Sequence, residues 1–306
     1  MMARLSPRIA IVQFQPKLGQ VQANMAKARE LCRGIPPQSV DLICLPEMAF
    51  SGYSFDSAAA IEPYLEPRHT GPTSQFCAEL ARSHKCYVAA GYPERLEPSE
   101  ASPDSAVGAN CAALYGPEGD PVGVYRKTNL FRTDTTWAMA GTGFTTFALP
   151  PPLGNVTLGI CMDLNAMPPY EWSIAEGPYE LADYCIESKT QVLVLLNAWL
   201  DSGEVPEDEY DMRTIDFWAK RLRPLWQLSQ EGSSDSDPDS SQKEETFVVV
   251  CNRGGVEMET KFAGSSAIFR MTHGRGKDGI LRAALGREDE DVLIWDSGAV
   301  KRQDDE

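Results

Sequence analysis

The chain has 306 residues, is 42% hydrophobic and 9% aromatic, and carries 28 Lys and Arg against 44 Asp and Glu, a formal charge of -16. That length holds one large domain or two ordinary ones with a sizeable core. The acidic balance disfavours a nucleic-acid binder, which needs a basic face, and an anionic membrane surface, but it tolerates and weakly attracts cationic substrates.

RIAIVQF at 8–14 is a β-branched run and predicts a first buried strand. Val21, Met25, Ala28, Leu31 and Cys32 then recur at helical spacing over 20–33 and stop at Gly34. The second strand, 41–45, ends at Pro46-Glu47, and a Gly-containing aromatic loop, MAFSGYSF, follows. A helix is expected over 73–84 behind Gly71-Pro72, then a third strand over 87–92 and a Pro- and Ser-rich loop over 94–106. Strands at 109–115 and 122–126 pair around GPEGD, and strands at 145–149 and 156–161 pair around PPPLGN, so the sheets are mixed. Helices over 177–188 and 210–228 flank a strand at 191–196 that is apolar after Gln191 and runs into NAWL. Strands at 247–251, 265–269 and 292–295 complete the pass. The segment 229–245 is acidic and Ser-rich without an apolar residue and is expected to be a disordered loop; the end, KRQDDE, is expected to be a solvated tail. At least nine strands with four long helices fit one α/β domain over 1–306, a sandwich of two sheets flanked by helices.

Eight cysteines occur without a CxxC pair, several inside apolar runs such as LICLP and FVVVCN, which predicts reduced thiols in an intracellular protein. The three histidines, His69, His84 and His273, are far apart, so a zinc site has little to draw on. The start, MMARLSPR, reads as no secretory leader, and no apolar run approaches bilayer length.

Cys161 ends the strand VTLGI at the point where the chain turns polar. A thiol so fixed is a strong nucleophile if a base takes its proton and a donor holds the oxyanion; otherwise it is one more core cysteine. Glu47 and Lys127 also stand at strand ends, after DLICLP and VGVYR. Each alone reads as well as a turn carboxylate or a solvated lysine. Three reactive side chains at three strand ends are a common way to build an α/β active site.

LPEMAFSGY, YRKTNLF and GICMDLN, in this order, resemble the three signature motifs of the nitrilase superfamily of carbon–nitrogen hydrolases. RIAIVQFQPKLGQVQANMAKA and NRGGVEMETKFAGSSAIF are similar to further family segments, so the resemblance covers about 8–269. It implies a four-layer α-β-β-α sandwich and a triad of Glu47 as base, Lys127 as oxyanion donor with the Met162 N–H, and Cys161 as nucleophile, without metal or organic cofactor. Many members carry a second glutamate between the Lys and Cys motifs. Here 128–160 holds no Glu and one acid, Asp134, so either Asp134 substitutes or that role is absent.

CMDLN followed by AMPPYEW, PYELADYC and NAWL resembles the fungal branch that deamidates N-terminal Asn or Gln of proteins to Asp or Glu. That implies peptide N-termini as partners, ammonia release and entry of the product into the N-degron pathway, with a cytoplasmic and also nuclear location expected. Homodimers are common in the family, with the acidic insertion an obstacle here. The substrate's α-ammonium needs an acidic partner: Asp163, two residues from Cys161, is preferred over Glu171. Asn165, Trp199 and Trp172 are expected to line the pocket. Two other readings stay open on sequence: a small-molecule amidase such as an ω-amidase or carbamoyl-amine hydrolase, and a non-catalytic scaffold of the same fold.

Overall fold

The computed structural model describes residues 6–100, 106–167, 169–228 and 245–299. The expected disordered segment therefore lies outside the described residues, except that Glu245 opens a strand instead of closing a loop. The C-terminal tail lies outside them as well.

The first half runs β1 (Arg8–Gln13), α1 (Val21–Cys32), β2 (Leu42–Cys44), a short α2 (Ala58–Ile61), α3 (Pro72–His84), β3 (Tyr87–Arg95), β4 (Gly108–Tyr115) and β5 (Pro121–Arg126). The second runs β6 (Thr145–Ala148), β7 (Asn155–Ile160), α4 (Glu180–Glu187), β8 (Val192–Asn197), α5 (Met212–Arg221), β9 (Glu245–Asn252), a small hairpin of β10 (Val256–Glu257) and β11 (Thr260–Lys261), β12 (Ala267–Thr272), β13 (Leu281–Ala284) and β14 (Asp291–Asp296). They form two six-stranded sheets, ordered β14-β1-β2-β3-β4-β5 and β13-β12-β9-β8-β7-β6. Each has a parallel centre, β1-β2-β3 or β7-β8-β9, and antiparallel margins.

The side-chain period of two explains the layers. Ile9 and Ile11 of β1 point inward and meet Val156, Leu158, Val194 and Val249 of the opposite sheet in the central core. Ala10 and Val12 point outward against Met25 and Ala28 of α1 and share that layer with Phe76 and Cys77 of α3. On the far side Leu193, Leu195 and Val248 face Leu181 and Cys185 of α4 and Ile215 and Trp218 of α5. Burial on both faces is why β8 reads VLVLLN without alternation. The order is thus helix, sheet, sheet, helix, the expected four layers.

Several boundaries differ from expectation, and β3 runs on to Arg95 into the loop expected over 94–106. The helix predicted over 210–228 ends at Arg221, followed by a 3₁₀ turn, Arg223–Leu225, because Pro224 has no N–H to give the helix ladder. The helix predicted over 177–188 begins only at Glu180; Gly177 has φ 81°, outside helical space, and bonds Ser173 instead. β12 begins at Ala267, not Ser265, whose φ is 51°. β13 and the β10–β11 hairpin have no counterpart in the sequence reading, being short and poor in periodicity.

Candidate active site

The C-terminal ends of the parallel strands from both sheets converge, and the site lies there. β2 leads through Leu45 and Pro46 to Glu47. Gly91 of β3 permits this path: a Cβ at Gly91 would come within 2.5 Å of the Glu47 Cα and 2.7 Å of the Met48 N. β5 leads directly into Lys127, whose N–H donates to the Asn110 carbonyl of β4 at 2.9 Å. β7 leads directly into Cys161, the first residue of a 3₁₀ turn, Cys161–Leu164.

Glu47, Lys127 and Asp134 are all 0% exposed. The Lys127 ammonium donates to Glu47 Oε1 at 2.7 Å and to Asp134 Oδ2 at 2.7 Å. Asn110 Nδ2 bridges the same two acids, at 2.8 Å to Glu47 Oε1 and 3.1 Å to Asp134 Oδ1. One cation and one amide thus hold two carboxylates together. Phe131 N–H adds a bond to Asp134 Oδ2 at 2.9 Å, and the Tyr53 hydroxyl another at 3.5 Å. Asp134 thus stands on the lysine.

Glu47 Oε2 accepts from the Ala198 N–H at 2.7 Å. The Glu47 charge and the Ala198 N–H both act on the Cys161 thiol, the first raising it and the second lowering it. Burial pushes the Glu47 carboxyl up, against the pull of Lys127 and with the push of Asp134. Burial also pushes the Cys161 thiol up, and Glu47 adds to that while Lys127 opposes it. The Lys127 ammonium keeps its proton: Asp134 and Glu47 raise it well above the ordinary lysine value despite desolvation. The resting site holds a neutral thiol beside a carboxyl group of raised basicity.

Cys161 has φ 43°, a left-handed conformation that costs a non-glycine residue about 1–3 kcal/mol. Two groups hold it there. Asn197, at the end of β8, accepts the Cys161 N–H on Oδ1 at 3.0 Å. Asp163 folds back so that Oδ2 takes the Ile160 N–H at 2.8 Å. With the Cys161 amide engaged, the first turn leaves the Met162 N–H without an intrahelical partner. All eight cysteines are free, and Cys161, at 8% exposure, is more open than the other seven, which lie at 0–1%.

Asp163 does not stand free to receive an ammonium group, contrary to the expectation from its place in the sequence. Besides Ile160 it accepts Tyr125 Oη at 2.8 Å on Oδ2, and Thr128 N–H at 3.0 Å and Asn129 N–H at 2.8 Å on Oδ1. Four donors fill both oxygens, and the acid ties the Cys161 turn to the end of β5. Asp163→Ala would strand several part-buried or buried donors, each worth about 1–3 kcal/mol. It is expected to lower the urea midpoint and to depress turnover of all substrates alike. Loss of discrimination with stability intact would return Asp163 to substrate binding.

The remaining candidates are spread more widely. Glu171 is exposed in the loop after the Cys161 turn. Asn165 turns back onto it, Nδ2 3.3 Å from Met162 Sδ. Trp172 packs in an aromatic group with Tyr179 and Phe217, beneath the Arg221 guanidinium 5.0 Å from its ring. Trp199 packs on Phe217 and Trp218 and is pinned through its N–H to Asn252 Oδ1 at 2.7 Å. Both tryptophans contribute to packing. Asn110, Asn197 and Tyr53 were not among the sequence candidates. Asn110 carries a signal, a fully buried amide inside the apolar strand GANCAALY, which must be bonded to something.

A fold of two mixed sheets with this acid–lysine–thiol cluster at their joined ends is that of a carbon–nitrogen hydrolase, and the family model of that description matches residues 8–168. The chain belongs to the carbon-nitrogen hydrolase family. A protein N-terminal amidase of Schizosaccharomyces pombe is 32% identical over 295 residues, 90% of this chain and 96% of that one. The protein N-terminal amidase of Saccharomyces cerevisiae is 26% identical over 249 residues, 74% of this chain and 52% of that one. Crystal structures of an N-terminal amidase share the fold at 19% identity, covering 95% of this chain and 97% of that one, with a TM-score of 0.76 for the complex with an Asn-Glu-Ala peptide and 0.75 for that with Gln-Gly.

Proposed function

We propose that the protein hydrolyses the side-chain carboxamide of an N-terminal Asn or Gln of a peptide or protein, leaving Asp or Glu and releasing ammonia. The observation that carries the chemistry is the buried cluster in which Lys127 anchors Glu47 at 2.7 Å while the Glu47 charge acts on the Cys161 thiol. The substrate class is supported by similarity over 90% of the chain to a relative named as a protein N-terminal amidase.

In this reading Glu47 takes the thiol proton as the Cys161 sulfur attacks the amide carbon. The carbonyl oxygen gains the negative charge, met by Lys127 and the Met162 N–H. Collapse of the adduct breaks the C–N bond, Glu47 returns the proton to the leaving nitrogen, and ammonia departs from a thioester. Glu47 then takes a proton from water, the hydroxyl adds to the thioester carbon, and the carboxylic acid leaves as the thiol is restored. The raised basicity of the buried Glu47 suits each of these four proton transfers, the last of which returns water's proton to the departing thiolate. Asp134, accepting from the same ammonium as Glu47, holds the lysine in line. With the oxygens of Asp163 filled, Glu171 is the remaining acidic candidate for the α-ammonium. The product N-terminus would feed the N-degron pathway.

Peptides beginning with Asn or Gln are expected to be hydrolysed, and the same peptides to fail when N-acetylated or when the residue is internal. The free ammonium gives a charge-assisted hydrogen bond worth about 1.5–3 kcal/mol, or roughly ten- to a hundredfold in kcat/KM. Ammonia release from free, acetylated and internal peptides and from free glutamine separates the readings. Equal rates on free and acetylated peptides, or a preference for glutamine itself, would replace this reading with a small-molecule amidase.

A further inference from the structure

The loop that follows Glu47 is anchored from far away in the chain. Glu257, 3% exposed on the β10–β11 hairpin, accepts the Tyr53 N–H at 3.0 Å and the Ser54 N–H at 2.9 Å on Oε2. Its Oε1 is paired with the fully buried Arg253 guanidinium. Arg253 lies over the Phe262 ring at 4.1 Å and donates to the Pro16 carbonyl at 2.7 Å. The fit at this anchor is close: a Cβ at Gly52, φ 79°, would come within 2.7 Å of both Glu257 Oε1 and the Leu18 Cα. Two backbone donors thus hold Tyr53 in place, and the Tyr53 ring stands 5.7 Å from Lys127 Nζ with its hydroxyl at Asp134.

We propose that Glu257, backed by Arg253, is a positioning residue that holds Tyr53 as a dry cover over the Lys127 ammonium. Tyr53 packs with Met48, Ala198 and Phe262, so the cover is continuous with the residue whose N–H Glu47 accepts. Its effect is to keep water from the Glu47–Lys127–Asp134 cluster. In water those charges are screened; in the dry cluster they hold their geometry and the acid keeps its basicity. The charged and titratable groups that act on Glu47 are Lys127, Asp134, Cys161, Tyr53 and Arg253. Opening the cover hydrates Glu47 and lowers its carboxyl toward the ordinary value. An Arg253 freed of Glu257 pushes in the same direction.

The activity half of the test rests on the amidase reading and the labelling half does not. Glu257→Gln keeps an acceptor for the Tyr53 and Ser54 N–H groups but drops the charge; Glu257→Ala drops both; Tyr53→Leu removes the ring without touching Arg253. In each, kcat on an Asn-initiated peptide is expected to fall roughly 10- to 100-fold with KM within about threefold, since Glu257 does not reach the substrate. The acid limb of kcat/KM should move about one pH unit lower. Iodoacetamide labelling of Cys161 at pH 7, read by peptide mass, should speed up roughly five- to tenfold as the hydrated thiol ionises more readily. If Glu257→Ala fails to fold by circular dichroism, the other two variants carry the test. A fall in kcat with unmoved pH limb and labelling rate would make Glu257 a structural residue only. A shift in Glu257→Gln that Tyr53→Leu does not share would assign the effect to the Arg253 charge and overturn the cover. Altered labelling with no activity on any N-terminal amide would keep the cover and remove the amidase reading.

Discussion

Cys161→Ala is expected to abolish ammonia release while the protein folds as before. The substitution removes one sulfur from a site that keeps 8% exposure, so the packing lost is small. The backbone bonds that hold the turn do not depend on the thiol: the Cys161 N–H still reaches Asn197, and Asp163 still takes the Ile160 N–H. Alanine also tolerates φ 43° no worse than cysteine, so the turn gains no new strain. Chemistry is another matter, because among the described residues Cys161 is the one cysteine that acts with Glu47 and Lys127. Turnover should fall to the background of the assay, with the thermal midpoint within a few degrees of the parent. Changing any of Cys32, Cys44, Cys77, Cys86, Cys111, Cys185 or Cys251 to Ser or Ala should leave turnover per folded molecule nearly unchanged. Activity surviving in Cys161→Ala, or lost on replacing one of the seven with folding intact, would transfer the nucleophile elsewhere.

Glu47, Lys127 and Cys161 were legible as strand-end residues, but singly each read as well as a structural side chain; the resemblance of LPEMAFSGY, YRKTNLF and GICMDLN to the family motifs is what joined them. Asp134 stood out only because the family resemblance implies a second acid between the Lys and Cys motifs, and the sequence left open whether it fills that role. What could not be read is what acts across the fold through the backbone or through a single atom. The Ala198 N–H has no signature, since every residue but proline has one. Glu257 lies 204 residues from the Tyr53 N–H it holds, and Asn197 lies 36 from the amide it captures. Asp163 misled for a physical reason. Two positions from the nucleophile sounds close, but in a 3₁₀ turn the third residue's side chain folds back onto the residue before the turn. There it met Ile160 and the end of β5 rather than the cleft. The layers were legible from periodicity because both faces of each sheet are covered, whereas the long-helix boundary failed on one proline, Pro224, whose cost is local and absolute.

Lys127→Met is expected to lose at least roughly 100-fold in kcat and to destabilise the fold as well, a pairing that a purely catalytic lysine would not show. The ammonium sits 2.7 Å from each of two carboxylates, all of them wholly buried. Removing it leaves Glu47 and Asp134 sharing only Asn110 as a bridge, and breaking a buried pair in this way costs about 3–5 kcal/mol. The loss should depend on pH in a defined sense. Burial already raises the Glu47 carboxyl above 4.5, and Lys127 is the nearest charge that opposes the rise. Without it the folded-state value climbs further, so the folded variant binds a proton that the unfolded chain has released. Stability of Lys127→Met should therefore fall as pH rises above about 4.5 and level off once the raised carboxyl has ionised. Lys127→Arg should rescue neither quantity. A guanidinium has no room in a site of zero exposure, and its planar donors cannot meet two carboxylates and a developing oxyanion from one nitrogen. Urea melts at pH 5 and pH 8, set beside kcat for both variants, test this directly. A Met variant equally stable at both values, or an Arg variant with near-normal kcat, would mean that the lysine is neither the counter-charge of the two acids nor the oxyanion donor.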